Sequence, residues 1–479
     1  MPRPNILFLC TDQQRYDALG AAGNDHIRTP HLDRLAAQGA RFTNCYTQSP
    51  ICAPSRGSLM TGRYPRHHSL WANGVDMDPG EQLFTKALAD EGYDCGLAGK
   101  LHLGSAFDGR IEPRLDDGLR VFRWAHDPYL RSAGNEYHHW LRRTHPELYD
   151  SAVVKRERSI DSLPQEAHYS HWVAEETIEF LGHSRQKDRP FCFISNFFDP
   201  HHGFEAPQRF RDLYDASALP APVTIEDELA TKPPIFTQES AKSYAGHMPG
   251  FDDYSPEDLQ EIKAQYFAMV SLVDEEVGRI LDALEHEGLA EDTLVIFTSD
   301  HGEMLGDHRM LLKGPMMFDC SVKVPLLMRW PGQIPEGMVA DELVEWIDLT
   351  RTVLSAAGST GLPRAQGRDL AGLWSSDAEP FDDRDWVLSE YRDGCWAYDP
   401  PVHTTMVRRG TWKIVVHHGP PATARERTGE LYDLAADPDE LRNLWDVPEA
   451  SQMRAEMQSF LLDVLVATED RSRVRLAPF

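Results

Sequence analysis

The chain has 479 residues, of which 41% are hydrophobic and 26% charged, a globular composition that excludes a wholly disordered protein. It carries 48 Lys and Arg against 76 Asp and Glu, a formal net charge of −28. The resulting field repels polyanions, so neither nucleic acid nor an anionic membrane is expected as a partner. No apolar run approaches the ~20 residues of a membrane helix. The opening MPRPNILFLC has too short an apolar stretch for a secretory signal and no small-residue cleavage site, so a cytoplasmic location is expected. The seven cysteines at 10, 45, 52, 95, 192, 320 and 395 are odd in number, scattered and without a CxxC pair. That pattern fits a reducing compartment with neither a disulfide framework nor a zinc knuckle.

In chain order, strands alternate with helices. Asn5 to Cys10 is a continuous apolar run, as in a strand buried on both faces, and it ends in Thr11-Asp12-Gln13. Thr29-Pro30 opens a helix, with Thr29 as N-cap and Pro30 at the first helical position, and Gly39 closes it. Glu81 to Asp90 reads as a second helix, and Gly92-Tyr93-Asp94 leads into a short strand. His168 to His183 is helical, and Phe191 to Phe198 is a buried strand ending in Asp199-Pro200-His201-His202. The longest helix starts at Ser255-Pro256 and carries a helical apolar stripe from Leu259 through Tyr266, Val273 and Ile280 to Leu284, ending near Gly288. Thr293 to Thr298 is a β run ending in Ser299-Asp300-His301-Gly302, and Val324 to Trp330 is a further apolar strand.

This alternation predicts an α/β fold with a mostly parallel sheet between layers of helices. Ligands of such sheets bind beyond the carboxyl ends of the strands. Asp12-Gln13, His201 and Asp300-His301 all follow apolar strands. Thr360 to Asp383, rich in Gly, Pro, Asp and Ser, reads as a linker. Beyond it, Trp386 to Tyr391 and Thr404 to His418 alternate as half-buried antiparallel strands, and Glu449 to Thr468 is a closing helix. The expected organisation is a catalytic domain over residues 1–375 and a small C-terminal α+β domain over residues 385–479. Residues 105–165 and 205–254 read as long loops over the mouth of the sheet. The apolar segment Val474 to Phe479 offers a surface for a partner, such as a second copy of the chain.

Pro50 to Arg56, followed by Thr61-Gly62, places Cys52 near the positive end of a helix with Arg56 one turn on. These residue types admit a low-pKa thiolate, a buried structural cysteine or a modification site. Cys52-Ala53-Pro54-Ser55-Arg56 resembles the signature of the sulfatases, in which the cysteine is oxidised to formylglycine. Gly92-Tyr93 through Gly99-Lys100-Leu101-His102-Leu103-Gly104 resembles the second signature of that family, departing from it at Cys95 and Leu101. The segments Pro4 to Gln14, Asp199 to Phe204, Ser299 to His308 and Glu430 to Leu434 resemble the family in the same order. The resemblance implies an alkaline-phosphatase-like α/β/α sandwich with a C-terminal domain built on an antiparallel sheet.

It also implies a site. Asp12, Gln13, Asp300 and His301 match the family's metal ligands, with the modified Cys52 as a further ligand. Mostly oxygen donors favour Ca²⁺, with Mg²⁺ or Mn²⁺ as alternatives. Arg56, Lys100, His102, His201 and Lys313 surround the nucleophile and the sulfate oxygens, a cationic island in an acidic protein. His202 competes with His201 for its role, because Gly203 stands where the family has a proline. Asn73 resembles a pocket-lining position, and Glu303, Asp307 and His308 read as loop or supporting residues. The implied activity is hydrolysis of sulfate monoesters on a formylglycine made from Cys52, whose hydrate attacks sulfur while His201 or His102 protonates the leaving alcohol. The implied partners are a small anionic sulfate ester and a formylglycine-generating maturation system. The rival readings are a phosphonate monoester or phosphodiester hydrolase on the same site, which Lys100 and His102 disfavour, and a catalytically dead sulfatase fold used for binding.

Overall fold

The computed structural model describes residues 3–160, 162–376, 378–381, 384–419 and 428–470. Among these, nine strands form one sheet. Its order is Val344–Glu345, Ala40–Tyr46, Lys323–Arg329, Thr293–Ser299, Asn5–Thr11, Phe191–Asn196, Asp94–Gly99 and Val121–Trp124, with Met338–Ala340 paired to Ala40–Tyr46 as well. From Thr293–Ser299 to Val121–Trp124 every neighbouring pair is parallel. Lys323–Arg329 runs antiparallel to both of its neighbours. A parallel return needs a crossover of a dozen or more residues, usually helical. The chain between Ser299 and Lys323 offers only the four-residue helix Asp319–Val322 of that kind, and it turns back instead.

The continuous apolar strands are explained by cores on both faces. Ile6, Phe8 and Cys10 point into one core with Phe84, Leu88, Ile296, Trp346 and Val353. Leu7 and Leu9 point into the other with Trp172, Val173, Val277, Ile280 and Phe297. The long helix Pro256–His286 lies over this second face, and its start is built as the sequence suggests. Ser255 Oγ accepts from Asp258 N at 3.1 Å, and Asp258 Oδ2 accepts from Ser255 N at 3.0 Å, a reciprocal cap.

A second sheet of four antiparallel strands is formed by Trp386–Arg392, His403–Arg409, Trp412–His418 and Thr428–Asp433. Leu388, Val407, Ile414 and Leu431 on one of its faces pack under Met457, Leu461 and Val464 of the helix Ser451–Ala467. Val387, Met406 and Val415 on the other pack against Tyr46, Met317 and Val322 of the larger unit.

Several boundaries differ from expectation. The helix expected from Glu81 begins at Phe84, because Asp78 ties up the N–H groups of Gly80 and Glu81 in a turn. Thr404 to His418 is a hairpin of two strands reversing at Gly410, where φ is +54°. Residues 105–165 are not merely loop: they contain the outermost parallel strand Val121–Trp124 and the helix Glu136–Thr144. Residues 205–254 contain the helix Pro234–Ala241. Val474 to Phe479 lie outside the described residues. No helix among the described residues is long and apolar enough to cross a membrane.

Candidate active site

The carboxyl ends of the five parallel strands converge. Asn5–Thr11 delivers Asp12 and Gln13, Thr293–Ser299 delivers Asp300 and His301, Phe191–Asn196 leads to His201 and His202, Asp94–Gly99 leads to Lys100 and His102, and Val121–Trp124 leads to His126. Facing them is the start of the helix Cys52–Thr61, all ten of whose residues are buried. Its N-cap, Ile51, makes no side-chain cap. Asn73 accepts a hydrogen bond from Ala53 N through Oδ1 at 3.0 Å. Asn73 therefore lines the cavity and also steadies the turn that carries Cys52.

Asp12, Cys52, Asp300 and His301 each present one donor atom, and these atoms lie within 4.8 Å of one another. The two carboxylates divide their oxygens. Asp12 Oδ2 accepts from Lys100 Nζ at 2.7 Å and from Arg56 at 3.4 Å, while its Oδ1 stands 3.5 Å from His301 Nε2 and 3.6 Å from Cys52 Sγ. Asp300 Oδ2 accepts from Arg56 Nε at 2.7 Å, and its Oδ1 lies 3.6 Å from His301 Nε2 and takes the Gln13 N–H at 3.1 Å. One oxygen of each carboxylate is thus held by a cation and the other faces a common point.

Gln13 joins this set. Its Nε2 donates to Glu303 Oε2 and lies 3.2 Å from His202 Nδ1, whereas its Oε1 is buried with no hydrogen-bond partner. A buried carbonyl oxygen left unpaired costs free energy unless something else satisfies it. With two carboxylates, an amide oxygen and an imidazole, the donor set fits a hard divalent cation. Glu303, itself held by the N–H groups of Leu305 and Leu312 at 2.9 and 2.5 Å, is the support that fixes Gln13.

Lys313 Nζ donates to Cys52 Sγ at 2.8 Å and lies 3.2 Å from His301 Nε2. Burial and Asp12 push the Cys52 thiol up, and Lys100, Lys313 and His301 overcome them, leaving it below its ordinary value. Burial also works against the Lys313 ammonium, but Cys52 and Asp12 more than offset it and raise it. Burial is the main cause that holds His102 and His201 well below the usual imidazole range, with the neighbouring His126 and Lys100 adding for His102, and His202 and Lys313 for His201.

His201 and His202 both line the cavity. Their rings stack 3.9 Å apart, with Phe198 on the far side of His201 at 4.6 Å. Of the two, His202 reaches Gln13. Asp307 and His308 lie elsewhere: Asp307 pairs with Arg15 at 2.7 Å, and His308 pairs with Glu228 at 2.7 Å.

Two residues of the site carry no signal in the sequence pattern. Glu112 is 6% exposed and accepts from His102 N and Trp124 Nε1, each at 3.0 Å, and from Leu103 N. It shapes the turn that carries Lys100 and His102, and burial pushes its carboxyl up to about 7. His126 packs edge-on against His102 at 4.4 Å. Its strand has four residues, too short for a periodic signal, yet His126 obeys the same strand-end rule as Asp12 and Asp300. Cys52, Lys100, His102, His126, His201, His202 and Lys313 line a cavity of about 990 Å³ that Tyr244 and Trp396 also border.

Comparison with known proteins agrees with this geometry. The sulfatase family model matches residues 4–359, and the model for the C-terminal part of N-sulphoglucosamine sulphohydrolase matches residues 306–466. The chain is 29% identical over 485 residues to the uncharacterized sulfatase YidJ of Escherichia coli strain K12, covering 99% of this chain and 89% of that protein. It is 27% identical over 491 residues to an arylsulfatase of Clostridium perfringens, covering 98% and 95%. Among solved structures, the phosphonate monoester hydrolase of Agrobacterium radiobacter superposes with a TM-score of 0.83 at 27% identity, covering 99% of this chain and 98% of that one.

Proposed function

We propose, from the premise that this chain belongs to the sulfatase family and is a sulfate-ester hydrolase, that Cys52 is its nucleophile in the form of formylglycine and that Asp12, Gln13, Asp300 and His301 hold a divalent ion, Ca²⁺ first among the candidates. The observation that carries this reading is the meeting of Cys52, at a helix start, with two carboxylates that each turn one oxygen toward it and toward His301. When bound, the ion supplies Lewis acidity that polarises a sulfate oxygen and favours an ionised hydroxyl.

The protein's own groups supply the rest. Arg56 holds the outer oxygens of Asp300 and Asp12, which keeps their inner oxygens aimed. Lys313 beside Cys52 and Lys100 beside Asp12 stabilise charge gathering on the sulfate oxygens in a water-poor site. His102 and His201 border the space of the leaving alcohol. An entering sulfate monoanion favours the protonated form of these imidazoles against their burial and against Lys100 and Lys313, and one of the two, once protonated, delivers the proton to the departing oxygen. One hydroxyl oxygen of the hydrate would bond to sulfur as the bond from sulfur to the alcohol oxygen breaks; the second hydroxyl would then lose its proton, forming the C=O bond of the aldehyde as the carbon–oxygen bond to sulfate breaks, a step closed to a plain serine ester.

A maturation system that oxidises Cys52 is part of this proposal, as is a cytoplasmic location, which seven cysteines without a disulfide suit. The second reading is phosphonate monoester or phosphodiester hydrolysis on the same groups, favoured by the neutral Gln13 at the metal cluster and by the fold likeness at 27% identity.

The test is a panel of sulfate, phosphate and phosphonate esters on Ca²⁺-loaded protein, with peptide mass spectrometry of the Cys52 segment. Sulfate turnover above the other two classes, with the thiol-to-aldehyde mass loss at Cys52, is expected. Phosphonates far ahead of every sulfate favour the second reading. A fully thiol Cys52 in a highly active preparation overturns the nucleophile.

A further inference from the structure

The wall of the cavity away from Cys52 is not shaped for a sulfate group alone. The space, about 990 Å³, is at the upper end of what encloses a drug-sized ligand and far exceeds a sulfate. Three exposed aromatic rings border it: Phe107, Tyr129 and Trp396, with 80%, 42% and 47% of their surface open. Trp396 stacks on His247 at 4.0 Å and Tyr129 meets Phe198 edge-on at 6.0 Å; the apolar surface that stays open beside the cavity has the character of a ligand-binding groove.

Arg131 and Arg156, both exposed, also line the cavity, and with Tyr129 they border an adjoining hollow. Among the described residues neither makes an ion pair within 4 Å, although this protein has a net charge of −28 and supplies carboxylates freely. Most of the cavity's other charges are already committed. Asp127 accepts the N–H groups of Tyr129 and Leu130 at 2.7 and 2.6 Å, and Lys100 and Lys313 serve Asp12 and Cys52. Asp108 also borders the space and disfavours an anion on its own side. Deeper in, His102 and His126 also line the cavity, and their Nδ1 atoms are buried without hydrogen-bond partners.

We infer that the alcohol half of the substrate is a ring-bearing group with a second anionic substituent, held by Arg131 and Arg156 while the aromatic rim covers the ring. This rests on the sulfatase reading above and adds to it what the leaving group is. A guanidinium binds carboxylate or sulfate oxygens in a paired geometry, so both a carboxylated aryl sulfate and a doubly sulfated or uronic saccharide carry the required chemistry. Small alkyl sulfates do not, since they leave the rim and the arginines unused.

The experiment compares matched substrates on metal-loaded, matured enzyme: 4-nitrophenyl sulfate against an aryl sulfate bearing a ring carboxylate, and a monosulfated against a disulfated monosaccharide. The ratio of kcat/KM, doubly charged over singly charged, is read in wild type, in Arg131→Gln/Arg156→Gln and in Arg143→Gln, an exposed arginine outside the cavity. A wild-type ratio of about 10 or more in one of the pairs, falling about tenfold in the double variant and holding in Arg143→Gln, is expected. Whichever pair shows it identifies the ring as aryl or saccharide. A wild-type ratio near 1 in both pairs, or an equal fall in the control, overturns the inference while leaving the enzyme a sulfatase. Failure to hydrolyse any sulfate, with phosphonates turned over, instead overturns the premise. Isothermal calorimetry of the inactive Cys52→Ala protein with each doubly charged ester then still decides the inference, which fails if the double variant binds as tightly.

Discussion

Replacing Lys100 with Met tests the cationic island most directly. The ammonium is 3% exposed and sits 2.7 Å from Asp12 Oδ2. Asp12 does not become an orphaned charge in the variant, because Arg56 at 3.4 Å and Lys313 at 3.9 Å remain beside it. Methionine keeps most of the apolar stem against Phe198, whose ring lies 5.6 Å from Nζ. The fold is therefore expected to survive, and the loss to appear in chemistry. Setting the imidazoles and the bound ion aside, Arg56, Lys100 and Lys313 face the carboxylates of Asp12 and Asp300; the substitution removes the surplus positive charge of the side chains, and the ion with Arg56 and Lys313 is left to meet the anion. Removing one preorganised group that meets developing charge costs ~10²–10³ in turnover, about 2.7–4 kcal/mol. The expected result is a fall of that size in kcat/KM for 4-nitrophenyl sulfate and a smaller fall for an aryl phosphonate monoester. Thermal melting and metal content, measured alongside, separate a folding defect from a chemical one. A folded variant that loses less than tenfold on sulfate, or equally on both esters, refutes the placement of Lys100 on the sulfate oxygens.

Three further outcomes follow from the same geometry. Asp300→Ala removes an anionic donor at the end of a buried strand and is expected to lose both bound metal and rate; stoichiometric metal by elemental analysis with near-normal turnover removes Asp300 from the ligand set. Gly99→Ala is expected to abolish soluble expression, since φ there is +104° and a Cβ would stand 1.9 Å from the Asn196 carbonyl oxygen; a soluble variant with wild-type melting contradicts the backbone account of the turn into Lys100. Burial raises the Asp274 carboxyl to about 7, against the N–H groups of Leu32 and His31 that it accepts. The folded state then holds a proton that the unfolded chain releases from about pH 4 upward, so this group takes stability away as pH rises to about 7. Relative to wild type, Asp274→Asn should therefore gain in melting temperature between pH 4 and 7 and level off above; a difference that is flat with pH removes the assignment.

What the sequence makes legible is what long apolar runs make legible. Asn5–Thr11, Phe191–Asn196 and Thr293–Ser299 are strands buried on both faces, so each has an unbroken apolar centre and the charged or imidazole residues that follow it stand out. That contrast draws attention to the strand ends, and the resemblance of the segments around Cys52, Asp12, His201 and Asp300 to the sulfatases turns it into a site. The strand Val121–Trp124 carries no such contrast. It is an edge of four residues, with Arg123 exposed and only Trp124 buried, and His126 beyond it looks like one more polar residue in an aromatic loop.

Local pattern also says nothing about partners far apart in the chain. Glu112 is a single carboxylate among polar neighbours, and only the fold brings it under the N–H groups of His102 and Leu103. The same holds for Trp396, which belongs to the loop after the strand Trp386–Arg392 yet borders the cavity of the larger sheet. The groups that perform the chemistry sit at strand ends because only there does a buried parallel sheet release its backbone direction to polar side chains at a common edge. The groups that choose the leaving alcohol sit on inserted segments that make few sheet contacts, where substitution costs little stability. A reading that rests on buried periodicity therefore finds the reaction and passes over the substrate. The Arg131 and Arg156 ratio measurement addresses the part that periodicity leaves unread.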